Sequence, residues 1–502
     1  MEYSDNFIAK IRKFKLDDLL YVLAEMSRKI YINKMNDPTS PPFSTRLINK
    51  GFYYAESNRI TPWQLAKLSY LGILHSNDHR STIPTETDIF SLNEILLKED
   101  NEIYTINREE YLNNPDDLKL MLWHWLTQEQ VLFQDGTTGL ELKYNFLRYY
   151  VIINKMSRSL ILRHNFDPID ELKRLTGFTI DEFSNLSWSL LIYGWLCQSK
   201  VNFNQFDALI TQHIPVVTPS NLYKISENFS TDYNYYREKH RNNPLITKPI
   251  VITQNNELII ANTYLFAIKV CENIYWLLKE HHSNKFGSLF GYYYENYIRE
   301  VLAFYLTIGQ FEKIRDTDGT QADWKIESNE FVLLIEQKSA IMTIGLKRFY
   351  ADYGTLVNYF NNHFIAKGFP QLKKTAENLE KQTTKPIIKL LLHFEKMYMK
   401  DYSIKPYIQK VLGWDTKRYY FIDTVEFEQI IQLLSKDEKK FNEVIEKKIL
   451  YEDSESISFR DGTDFYDILK ELKYFSKVDF LEKESESFKP LNLPPSTIST
   501  TE

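Results

Sequence analysis

Residues 319–340, GTQADWKIESNEFVLLIEQKSA, hold three side chains whose types and spacing suit phosphoryl chemistry: Asp323, Glu336 and Lys338. Two carboxylates brought together can seat a divalent cation, because Mg²⁺ takes hard oxygen ligands and keeps several of its waters. A metal held by Asp323, Glu336 and a backbone carbonyl such as that of Gln337 would polarise a phosphate, and Lys338 would hold or deprotonate the attacking water. The expected ion is Mg²⁺, or Mn²⁺ in its place.

That chemistry needs elements to position it. Side chains alternate along a strand, so Glu336 and Lys338 share one face with Val332 and Leu334. A hairpin turning through Asn329-Glu330 sets Asp323 directly opposite Glu336, with Cβ atoms about 4.5–5.5 Å apart. A turn one residue earlier sets Asp323 opposite Leu334 and still leaves the carboxylates within bridging reach. Lys325 and Glu327 fall on the face of Asp323, which makes that side of the strand less apolar than a fully buried central strand.

The surrounding order is expected to be a helix from 285 to about 307, strands near 311–317, 321–327 and 331–338, and helical material over 347–381. Strands near 387–393, 406–411 and 419–423 follow, then helices to about residue 475. Asp323, a spacer of twelve residues and Glu336-Gln337-Lys338 resemble the signature of the PD-(D/E)XK nuclease superfamily, the restriction-endonuclease-like fold. Ala322 stands where the named pattern has Pro, which contributes no metal ligand. The upstream FGSLFGYYYENYIREVL looks like the helix that opens this fold, and the resemblance makes Glu295 an extra carboxylate near the metal. It likewise implies metal ligation by Asp323 and Glu336, a catalytic role for Lys338, and a polar helical residue near the site at Gln371. The resemblance spans roughly residues 285–425.

Between Gln337 and Thr375, Lys338, Lys347, Arg348, Lys367, Lys373 and Lys374 face one acid, Asp352, and interleave with Phe349, Tyr350, Tyr353 and Tyr359. This is the expected phosphate-facing surface, with Lys347, Arg348, Lys373, Lys374 and Gln371 as its nucleic-acid contacts. Some of the aromatics belong to the core in the same reading. Two other constellations compete. Arg158 and His164, in RSLILRH, fit the spacing of HEPN ribonucleases, although Ser159 replaces their usual polar residue. His75, Asp78 and His79 are metal-ligand types in a segment that reads as a helix end and loop.

The chain has 502 residues, 43% hydrophobic and 25% charged, so a large folded core is expected and a wholly disordered chain is excluded. With 34 Tyr and 32 Phe against 15 Gly and 17 Pro, long helices and aromatic interiors are expected. The net charge of −6 supplies no global field for polyanions, so such a site must be local. Two cysteines, Cys197 and Cys271, suit a reducing cytoplasm, and no run is apolar enough for a membrane span.

Helix starts are written at Thr61-Pro62, Asn114-Pro115, Asp167-Pro168 and Thr218-Pro219, where a polar cap precedes proline. Apolar periodicity follows over 63–74, 118–133 and 183–196. The expected fold class is α+β. Residues 1–243 form an α-helical recognition or regulatory region, 244–284 a β-containing connector and helix, 285–478 a restriction-endonuclease-like domain with a central mixed sheet flanked by helices, and 479–502 a disordered tail.

The function expected is a Mg²⁺-dependent endonuclease acting on nucleic acid, DNA in preference, with the helical region contacting a protein partner or a second copy. Fusion of helical regions to this nuclease domain resembles effectors of bacterial antiphage defence. The alternatives are an inactive nuclease-fold scaffold, in which Glu336 and Lys338 only pair with each other, and a metal-independent HEPN ribonuclease.

Overall fold

Proline-preceded caps organise the first half of the chain. In the computed structural model, which describes residues 3–36, 60–112, 139–196, 199–205, 214–238, 240, 243–314, 320–342, 353–397, 400–454 and 464–486, Gln64 Oε1 accepts the Thr61 N–H at 2.7 Å where helix Pro62–His75 begins. Asp167 caps Pro168–Thr176 through the Ile169 N–H (2.8 Å), and Thr218 caps Pro219–Ser226 through the Asn221 N–H (3.2 Å). Asn114-Pro115 and the periodic stretch 118–133 lie outside the described residues, as do Cys197 and residues 487–502. The start of the expected disordered tail is instead the helix Asp479–Glu484, held by buried Phe480 and Leu481.

The protein is α+β. It divides into two compact units, one built mainly from residues up to Ser283 and the other mainly from Asn284–Lys483. The division falls within the long helix Thr263–Tyr305, at Ser283, whose φ of 46° is not helical.

The first unit is helical around a four-stranded sheet made of β1 (Lys200–Val201), β2 (Ser230–Asp232), β3 (Ile250–Ile252) and β4 (Leu258–Ile260), in the order β1-β4-β3-β2. β3 and β4 form the expected hairpin, with Asn256 at φ 59° in its turn. β1 and β2 come from the stretch expected to be helical. They are two and three residues long, and their ladder bonds come from distant partners rather than local periodicity.

The second unit holds a five-stranded mixed sheet: β5 (Phe311–Lys313), β6 (Trp324–Glu327), β7 (Val332–Lys338), β8 (Ile387–His393) and β9 (Tyr419–Asp423), in chain order. β5, β6 and β7 run antiparallel to their neighbours, while β7, β8 and β9 are parallel. The Val332–Ile335 run is buried throughout, as a strand covered on both faces should be.

Val332, Leu334, Leu391 and Phe421 pack in one cluster with Phe360, Phe364, Phe369 and Leu372 of the helical segment 353–379. Helix residues 284–305 bury Phe290, Tyr294 and Tyr297, and the rings of Phe290 and Tyr294 both meet Phe394 edge-on, at 5.1 and 5.2 Å.

The strand expected at 406–411 is instead the helix Lys405–Leu412. Tyr407 and Ile408 recur with Ile404 at helical spacing, Pro406 sits in the first turn, and Gly413 ends the helix in the left-handed region at φ 70°. Among the described residues, no helix is long and apolar enough to cross a membrane.

Candidate metal and phosphodiester site

The site begins with strand register. The β6–β7 hairpin turns through Ser328-Asn329-Glu330-Phe331, closed by the Ser328 N–H to Phe331 O at 2.9 Å, and Trp324 pairs with Ile335. One step beyond that pair, Asp323 donates its N–H to Ile335 O at 2.9 Å, so its side chain falls on the face of Glu336 and Lys338. Asp323 O accepts from Ile314 N–H, also at 2.9 Å, and the Gln337 N–H donates to Asp323 Oδ2 at 2.9 Å. Backbone and carboxylate of Asp323 are thus both fixed.

Glu336 is 2% exposed. Its Oε1 accepts from Lys338 Nζ, whereas its buried Oε2 has no hydrogen-bond partner. Such an atom carries the full cost of lost hydration, about 1–3 kcal/mol or more for a charged group. Burial pushes the Glu336 carboxyl up to about 8, helped by the neighbouring Asp323 charge and opposed by Lys338. Burial also raises Asp323, and the Gln337 N–H, Lys313 and Lys338 oppose that rise. Burial and the neighbouring Asp323 charge together favour the protonated form of Glu336 when no cation is present.

A divalent ion fits this arrangement, since its charge would offset the two neighbouring carboxylates and its coordination would satisfy Glu336 Oε2. Asp323 and Glu336 would hold it, with a backbone carbonyl and water. Among the described residues, no group of three or more His, Cys, Asp or Glu side chains is gathered for a metal. The waters that Mg²⁺ retains would therefore form much of the shell.

The other expected residues take varied places. Gln371 Oε1 accepts from Lys338 Nζ at 3.2 Å, and Gln371 Nε2 donates to Gln321 O at 3.3 Å, so Gln371 ties the end of β7 to the segment that leads into Asp323. The Gln337 side chain lies on the opposite face, where its Oε1 accepts from Trp324 Nε1 at 2.9 Å, which leaves only main-chain atoms of Gln337 toward Asp323.

Glu295 pairs with Lys313 rather than with Asp323 or Glu336. Lys373 lies 4.8 Å from the centre of the Trp414 ring and 4.0 Å from Glu377, and Lys374 donates to Thr320 Oγ1. Lys347 and Arg348 lie outside the described residues. Lys325 is committed to Glu312 (3.3 Å) and Glu327 (2.5 Å), which accounts for charge on that face of β6.

Sequence reasoning missed four neighbours. Lys313 feels the Asp323 and Glu336 charges, while burial lowers its pKa. His363, on the overlying helix, is lowered by burial and then by the charge of Lys338. His393 sits in register between Lys338 and Asp423; it is buried and pushed down to about 3, chiefly by burial, and neither ring nitrogen has a hydrogen-bond partner. Gly368 lets the helix approach β8, since a Cβ there would stand 2.6 Å from Leu391 Cδ1 and 3.6 Å from Lys338 Cε. Only His393 left a signal, as the second residue beyond Leu391 at the end of an apolar strand.

The competing constellations are differently built. Arg158 and His164 span a 3₁₀ turn, Arg158–Leu160, and a single α-turn, Ile161–His164, rather than one continuous helix. The Arg158 guanidinium donates to Asn154 O (2.8 Å) and Asn154 Oδ1 (3.0 Å). His75 ends a helix, Asp78 Oδ1 accepts the Asp17 N–H at 3.0 Å, and the His79 N–H bonds Asn77 Oδ1 at 3.0 Å. Comparison of the chain with protein-family models, with curated proteins and with solved structures finds no match to any of them.

Proposed function

We propose that the second unit is a Mg²⁺-dependent nuclease, able to use Mn²⁺, that hydrolyses phosphodiester bonds in nucleic acid, DNA in preference. The observation that carries this reading is the buried, unpartnered Glu336 Oε2 beside Asp323, at a strand end that also carries Lys338. The succession of helix, β5–β6–β7 meander, helical segment and parallel β8 supports a restriction-endonuclease-like arrangement.

When bound, the ion supplies charge neutralisation at the phosphate and acidifies a water. The chain's own residues do the rest. Asp323, fixed by the Gln337 N–H and its strand neighbours, and Glu336 orient the acceptor oxygens. Lys338 Nζ, held between Glu336 Oε1 and Gln371 Oε1, orients the attacking water and meets the charge developing on the phosphate. The helix bearing Lys367, Lys373 and Lys374 offers phosphate contacts, and the first unit would recognise a partner or a second copy. A role as an antiphage effector in the cytoplasm belongs to the same proposal and rests on architecture alone.

The test incubates plasmid DNA and total RNA, with and without Mg²⁺, with wild type, Lys338→Ala and His164→Ala. Mg²⁺-dependent cleavage lost in Lys338→Ala and kept in His164→Ala supports the proposal. RNA cleavage that persists in EDTA and disappears in His164→Ala favours the HEPN reading. A wild type whose melting temperature does not respond to Mg²⁺ or Mn²⁺ favours the scaffold, in which Lys338 and Glu336 are only an ion pair.

A further inference from the structure

Three consecutive residues lead into Asp323, and each is held by the same helix. Lys374 Nζ donates to Thr320 Oγ1, Gln371 Nε2 donates to Gln321 O at 3.3 Å, and Thr375 Oγ1 accepts the Ala322 N–H at 2.8 Å. Positions 371, 374 and 375 share one face of helix Phe369–Leu379. The same Thr375 hydroxyl donates to Gln371 O at 2.9 Å, so both its donor and its acceptor capacities are used.

Ala322 is fully buried and precedes β6, which begins at Trp324, so its N–H lies outside the β6–β7 ladder. Without Thr375 that donor would be buried and unmatched.

We infer that Thr375 is a positioning residue for the metal site: its hydroxyl clamps the Ala322 peptide and thereby sets where the Asp323 carboxylate stands relative to Glu336. The inference rests on the proposed metal role of Asp323 and Glu336. It also gives Gln371 and Lys374 a place in the clamp beside any contact with nucleic acid. Because Thr375 is the member that holds the peptide next to Asp323, it is the one whose loss is read at the metal.

The experiment titrates Mn²⁺ into the full chain, following free Mn²⁺ by electron paramagnetic resonance, for wild type, Thr375→Val and Thr375→Ser. Loss of a group that orients a ligand typically weakens metal binding about 10- to 100-fold. The expected result is weakening of that order in Thr375→Val and near wild-type affinity in Thr375→Ser, which keeps the hydroxyl. A merely structural Thr375 would lower the melting temperature of Thr375→Val and leave its Mn²⁺ affinity unchanged, and that outcome overturns the inference.

Hydrogen exchange at the Ala322 amide of the wild type provides a reading should Thr375→Val fail to fold. Protection is expected, and exchange as fast as in an exposed loop overturns the clamp. A wild type that binds no Mn²⁺ overturns the nuclease reading and the metal role of the clamp, whereas amide protection still reports on the clamp itself.

Discussion

Two clusters of buried carboxylates and lysine, one at the C-terminal end of β7 and one at that of β9, differ in how completely they are satisfied. Around Lys400, which is fully buried, Nζ reaches Asp423 Oδ2 at 3.0 Å and Glu426 Oε2 at 2.6 Å. Asp423 Oδ1 accepts the Glu426 N–H (3.0 Å), Glu426 Oε1 accepts the Tyr466 N–H (2.8 Å), and Asp464 takes the N–H groups of Lys400 and Asp401, both at 3.3 Å. Every carboxylate oxygen in that cluster has a partner. At Asp323, Glu336 and Lys338 one buried oxygen is left over. The closed cluster ties strand and helix ends together, whereas the open one leaves a buried oxygen that the proposed cation would satisfy.

The widest separation between the two comes from substitution. Glu336→Gln should remove the stabilisation that Mg²⁺ provides, about 2.7 kcal/mol at a metal concentration 100 times the dissociation constant, while the metal-free melting temperature stays level or rises. Cleavage should fall with it by about 10²-fold or more, the scale of losing a group that stabilises charge in the transition state. Lys400→Met should do the reverse. It leaves buried carboxylates uncompensated, at a cost of about 3–5 kcal/mol measured by denaturant unfolding, yet keeps the metal-dependent shift.

A smaller effect is read against pH. Glu336 is raised in the folded chain to about 8, from an ordinary 4.5, so folding favours its protonated form. In metal-free protein this contribution is complete below about pH 4.5 and is lost as pH climbs through about 8. Melting temperatures between these limits should therefore decline with pH less steeply in Glu336→Gln than in wild type. With Mg²⁺ present the ion competes with that proton, so the metal-dependent shift should grow with pH over the same range. A metal effect that shrinks as pH rises would count against a deprotonated Glu336 as ligand.

The smallest expected effect is Gly368→Ala. The added methyl must displace Leu391 or the helix next to Lys338, a cost of about 1–3 kcal/mol by thermal or denaturant unfolding, with a larger proportional loss of cleavage than of stability. Equal tolerance of Ala at this position in both readouts would separate the helix from the site.

Much of the open cluster was legible because its residues are near in sequence. Period-two alternation and a short turn suffice to set Asp323 against Glu336, and β7, β8 and β9 stand out as apolar runs. Helix Lys405–Leu412 was misread because a short apolar run with Tyr and β-branched residues fits either period, and the Gly413 cap was the deciding residue. Lys313, His363, His393 and Thr375 reach the site through sheet pairing or helix docking, whose partners are not encoded in any local pattern. The same holds for the closed cluster, where Lys400 meets Asp464 across 64 positions of chain.

The most direct test is a crystal of the wild-type protein soaked in Mn²⁺ and recorded at the manganese edge. An anomalous peak within about 2.0–2.3 Å of Glu336 Oε2 and an Asp323 carboxylate oxygen, absent from Glu336→Gln, is the result expected for a hard divalent ion at this site. Ordered protein with no peak between these two carboxylates, or a peak unchanged in Glu336→Gln, would contradict the account.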